Sequence, residues 1–170
     1  MLVNVETLAQ FNEQDFRKMF PNVGFSDTIE AHQVEPLGYT VIEFDDAPAL
    51  PEGGRLEPGE LRREGERVIQ AWKVIPPTEK ELAGMFERAI QALLNDSAVA
   101  RGYDSISTAI SYAEEPEVER FQKDGIAFRK WRSLVWAYAY EQLAAVTSGD
   151  RAQPTVAEFI TELPKLELPT

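Results

Sequence analysis

The chain has 170 residues, 44% of them hydrophobic, a formal net charge of -12, no cysteine and a single histidine, His32. That length builds one ordinary domain or two small ones around a real core. The charge argues against nucleic acid, whose binders need a positive footprint, and the lack of cysteine excludes disulfides, thiolate nucleophiles and thiolate metal sites.

No apolar run approaches the ~18 to 20 residues that span a bilayer, and the opening MLVNVETLAQFNEQDF lacks the regions of a signal peptide. A soluble protein kept in a cytosol, with no membrane partner, is expected. The charge is uneven: Asp27 to Glu66 holds 11 acids against 3 bases, whereas Arg120 to Arg132 holds five bases against Asp124 alone. Such asymmetry brings the two halves together, steers a partner, or simply keeps two surfaces solvated.

Along the chain, NEQDFRKMFP predicts a short helix, capped by Asn12, with Phe16, Met19 and Phe20 on one face and Pro21 ending it. A second short turn or helix is expected in SDTIEAHQVEP, and a strand in YTVIEF, residues 39 to 44. DDAPALPEGGR has the proline and glycine content of a loop. LEPGELRREGERVIQAWKVIP reads as two strands joined by a turn at Glu64-Gly65, with Val68, Trp72 and Val74 facing one way. The prediction for residues 1–75 is thus a small α+β domain with a two- or three-stranded antiparallel sheet.

PPT at 76 to 78 marks the boundary, since the residue before a proline resists helix and Thr78 with Glu81 forms a capping box. Residues 76–170 read as a helical domain. Its first helix carries Leu82, Met85, Phe86, Ala89, Ile90 and Leu93 at helical spacing and stops near Gly102. YDSISTAISYA is a short helix with Asp104 as candidate cap and Ile106 and Ile110 inward. Pro116, among glutamates, suits the first turn of a long central helix near 116–147. PTVAEFITELP is a last short helix with a Thr155 to Glu158 capping box, followed by an extended tail, KLELPT.

The long helix raises the functional question. On a wheel its apolar residues, among them Phe128, Trp131, Val135, Trp136, Tyr138 and Leu143, cover roughly 200° against ~100° for a half-buried helix. Either this helix is wrapped by those before and after it, or part of the arc is a partner face. Trp131, Trp136, Tyr138, Tyr140 and Arg132 are the candidate partner-binding residues, because Trp, Tyr and Arg are enriched at interface hot spots. Arg132 falls inside the arc, so it requires a carboxylate, and Asp104 is the expected partner in a structural ion pair.

Signals for catalysis are few. Adjacent Asp45 and Asp46 point to opposite faces of a strand, His32 stands in no HExxH pattern, and GxSxG, P-loop and GxGxxG motifs are missing. No enzymatic activity, cofactor or metal is expected.

The segments FPNVGF, LGYTVI, QAWKVIPPTEKEL, RGYDSISTAISYA, FRKWRSLVWAYAYEQL and QPTVAEFITELP, in that order, resemble the tail-fibre assembly proteins, or fibre chaperones, of tailed bacteriophages. The likeness is strongest from Trp72 to Pro164 and rests on Tyr103, Asp104, Trp131, Arg132, Val135 and Trp136; near the start, Val23, Gly24 and Ser26 depart from the family's pattern after FPN. The resemblance implies a non-enzymatic protein that binds the C-terminal, distal end of a trimeric receptor-binding fibre, assists its folding and trimerisation, and can stay as a cap. It implies residence in the host cytoplasm during assembly, with the virion tail as the other location. Self-association is a further option, and a structural virion component, such as a baseplate or fibre adaptor subunit, is the alternative reading.

Overall fold

Pro76 and Pro77 supply no backbone N–H, and the chain divides there. In the computed structural model, which describes residues 1–169, Met1–Pro77 form one unit and the residues from Thr78 onward form another. The fold class is α+β: sheets in the first unit, helices in the second. Among the described residues no helix is long and apolar enough to cross a membrane.

The first unit holds two three-stranded sheets. In one, Leu2–Asn4 (β1) pairs antiparallel with Gln10–Phe11 (β2) and with Tyr39–Val41 (β3). Because strand side chains alternate, Leu2 packs with Phe16, Ile29 and Val34 while its neighbour Val3 packs with Ile42 and Val68. Phe16 comes from the helix Glu13–Met19 (α1), whose Asn12 cap accepts the backbone N–H of Asp15 at 2.8 Å. A short helix, Ala31–Val34 (α2), continues into a 3-10 turn at Glu35–Leu37. Arg17 of α1 donates to the carbonyls of Phe25, Ser26 and Asp27, which ties the FPNVGFSD segment back onto the helix.

The second sheet is the expected hairpin, Arg55–Glu64 (β5) with Arg67–Ile75 (β6), joined through Gly65 at φ 66°. A parallel strand, Glu43–Phe44 (β4), lies on the other side of β6. The YTVIEF run is therefore not one strand: it breaks at Ile42 and serves both sheets. β1 and β2 carry too few residues for an alternating pattern to register in the sequence.

The second unit is built on Glu79–Ala100 (α3), Ile106–Ser111 (α4), Glu119–Ser148 (α5) and Val156–Glu162 (α6). The Thr78 and Thr155 capping boxes are both formed. α4 is capped by Ser105, whose hydroxyl accepts the N–H of Thr108, and not by Asp104, which is exposed. α5 begins three residues after Pro116, because the Glu115 carboxylate accepts the N–H of Glu117 at 2.9 Å and holds a bend there. Ile90, Leu94, Ile106, Phe128, Trp131, Val135 and Phe159 make a single core shared by all four helices. Leu166 and Leu168 of the tail, which has no regular structure through Pro169, pack on its edge; Thr170 lies outside the described residues.

Candidate functional site

α5 presents two apolar faces with different fates. Phe128, Trp131 and Val135, with Asp124 and Gly125, form a buried stripe at i, i+3 and i+7 spacing. Trp131 is core, 5% exposed, and its indole N–H donates to the Pro164 carbonyl at 2.6 Å, so it fastens the chain beyond α6. It is not available to a partner.

The buried ion pair of this unit is not the expected one. Arg132 and Asp104 are both exposed, and no ion pair joins them among the described residues. Arg132 follows Trp131 by about 100° on the helix, which carries it off the buried stripe and into solvent. Instead α5 supplies the acid. Asp124, 1% exposed, accepts from Arg101 Nε at 2.8 Å, Arg101 Nη2 at 3.0 Å and the Tyr103 hydroxyl at 3.1 Å. The Arg101 guanidinium holds the Asp124 carboxyl below its ordinary range against the opposing effect of burial, and the Tyr103 hydroxyl adds to the lowering. Burial first, then the Asp124 carboxylate, pushes the Tyr103 hydroxyl up.

The GYDSI segment thereby acquires a structural reading. Gly102 turns the chain at φ 97°, Tyr103 reaches Asp124, Ser105 caps α4, and Ile106 and Ala109 enter the core. Gly125 lets α5 cross the 3-10 turn Tyr112–Glu114, since a Cβ there would stand 2.4 Å from the Ala113 nitrogen.

The second face of α5 is uncovered. Its C-terminal half and the N-terminal half of α3 enclose a groove of about 450 Å³, closed at one side by Pro154 and Phe159. Leu82, Phe86 and Ile90 line it from α3; Trp136, Leu143 and Val146 line it from α5. Ala83 and Ala139 also line it, and a methyl group fills little of the space between two helices. Tyr140, 65% exposed, and Leu143, 54% exposed, stand at the rim with their apolar surface in water. The half-buried Trp136 has an enclosed indole N–H with no acceptor among the described residues, a state that costs about 1–3 kcal/mol in general.

Of the five partner-binding candidates, Trp136 and Tyr140 line this groove. Tyr138 is half-buried and committed elsewhere, its hydroxyl donating to Glu162 at 3.0 Å and its ring stacked on Phe159. Arg132 is exposed and does not line the groove. The α3 wall was missed from sequence: Leu82, Phe86 and Ile90 carry a clear helical period, which reads equally as core.

In the first unit, Asp45 accepts both terminal nitrogens of Arg62, and His32 is exposed beside Glu30 at 3.3 Å. Trp72 stacks on the exposed Phe44, ring centroids 4.8 Å apart, and donates its indole N–H to the Asp45 carbonyl. No family model, curated protein or solved structure compared with this chain matches it.

Proposed function

We propose that this chain is a tail-fibre assembly protein that binds the C-terminal, distal end of a trimeric phage fibre, assists its folding and trimerisation in the host cytoplasm, and can remain there as a cap. The observation that carries this reading is the open apolar groove between α3 and α5, whose rim keeps Tyr140 and Leu143 in water. A folded monomer gains nothing from that exposure, whereas a helper that shields apolar surface of a slowly closing trimer needs it. The order of the GYDSI, W-R-x-x-V-W and PTxxE segments supports the family reading beside it. Neither a cofactor nor bond chemistry is required.

Co-expression with the fibre encoded by the same phage tests the proposal. The expected result is a higher yield of soluble trimer, co-purification of the two proteins, and loss of both effects in Leu143→Lys with its melting curve unchanged. Equal trimer yield with and without the chain overturns it. Fixed stoichiometry in mature particles, together with a fibre that folds unaided, replaces it with a structural virion role.

A further inference from the structure

Resting on that reading, we infer that the α3–α5 groove takes a single amphipathic helix of about three turns from its partner, with lysine or arginine beside the apolar stripe. The length follows from the walls. Groove-lining positions on α3 run from Glu79 to Ile90, which at about 1.5 Å per residue is roughly 17 Å.

The helical state of the occupant follows from hydrogen bonding. Both walls are helices whose backbone N–H and C=O groups are already paired within them, so they offer no ladder to an extended strand. A strand laid on Leu82, Phe86 and Leu143 would bury peptide groups without partners. A helix brings its own hydrogen bonds, and the small side chains of Ala83 and Ala139 in the lining leave room for its own.

The charge follows from the lining. Its two charged residues, Glu79 and Glu87, are both acids; neither has an ion-pair partner among the described residues, and no lysine or arginine lines the groove. A basic edge on the incoming helix meets two uncommitted carboxylates, while an acidic edge meets repulsion.

The test uses the full chain and three fluorescein-labelled peptides of about 14 residues, roughly 21 Å as helix, each with leucines at i, i+3, i+4 and i+7. One carries lysines beside the stripe, one carries glutamates there, and one carries the lysines with a central proline. At low ionic strength the lysine helix is expected to bind at least about tenfold more tightly than the glutamate helix, and the proline form not to bind. The preference should shrink in Glu79→Gln/Glu87→Gln but persist in Glu60→Gln/Glu66→Gln, which removes equal charge from the hairpin.

Equal affinity for the two charge forms, binding of the proline form, no binding of any peptide, or equal loss in both double variants overturns the inference. So does sedimentation showing a dimer that Leu143→Lys dissociates, because a second copy then fills the groove. Fibre co-purification is measured on the same variants. If the fibre still binds while the peptide results fail, the inference falls and the assembly role stands; if the fibre does not bind wild type, the role itself falls.

Discussion

Gly84 and Gly125 both stand inside helices, and replacing each with alanine separates local propensity from tertiary packing. On propensity, either change favours the helix by about 1 kcal/mol. At Gly84 the nearest atom to an added Cβ is Arg88 Nη1 at 3.2 Å, the end of a flexible side chain that can swing away, so Gly84→Ala should stabilise by most of that amount. At Gly125 the added Cβ meets the Ala113 nitrogen at 2.4 Å, the Tyr112 carbonyl carbon at 2.7 Å and the Ala113 Cα at 2.9 Å. These are backbone atoms, so α5 must retreat by about 1 Å from a turn whose Tyr112 ring packs on Tyr103. Overpacking of that kind costs about 3 kcal/mol, and the net loss is about 2 kcal/mol. For a domain of this size the melting temperature should fall by roughly 8–16 °C. Calorimetry of the full chain, with fluorescence of a Trp72→Phe background leaving only Trp131 and Trp136 to report on the second unit, reads both variants. A Gly125→Ala protein as stable as wild type would refute the close crossing, and loss at Gly84 comparable to loss at Gly125 would refute the distinction between side-chain and backbone neighbours.

Three further expectations follow the same logic. Arg101→Met should destabilise the second unit more than Asp124→Asn, because the first strands a buried carboxylate and the second leaves a neutral amide; thermal melts at neutral pH that rank them the other way refute the pairing. Asp124 has a folded-state pKa depressed below its unfolded value, so its stabilisation is present above about pH 4 and is lost as pH falls further through the folded value. Wild type minus Asp124→Asn melting temperature should thus be flat from neutral to about pH 5 and shrink below about pH 4; a difference that does not vary with pH refutes it. Trp131→Ala should cost about 3–5 kcal/mol, whereas Tyr140→Ala and Leu143→Ala should stay within about 0.5 kcal/mol of wild type in urea denaturation yet weaken fibre co-purification. Equal destabilisation by all three would place the rim residues in the core.

Much of the architecture was legible because it is encoded locally. Asn12, Thr78 and Thr155 cap the helices they were expected to cap, Gly65 turns the hairpin, and the double proline marks the division between units. What escaped detection was either too short to show a period, as with β1, or dependent on a neighbour remote in the chain, as with Ile42 splitting one apolar run between two sheets. The site shows the same division. A helix wheel identified surplus apolar area on α5, but a wheel has no depth: it merged the buried stripe through Trp131 with the groove face through Trp136 and swept Arg132 in with them.

From residue order by itself came the long helices, the Asn12, Thr78 and Thr155 caps, the strand pair and the presence of one helix too apolar for half burial, since each depends on contacts within a few positions, and composition alone excluded thiol chemistry. Only the folded arrangement decided that Asp124 and not Asp104 carries the buried charge, that Arg101 and not Arg132 answers it, and that Leu82 and Phe86 face an opening. Those outcomes depend on which side chain meets which across α3, α4 and α5. Burial is a property of the pair in contact, and a periodic pattern fixes only the direction in which each member points.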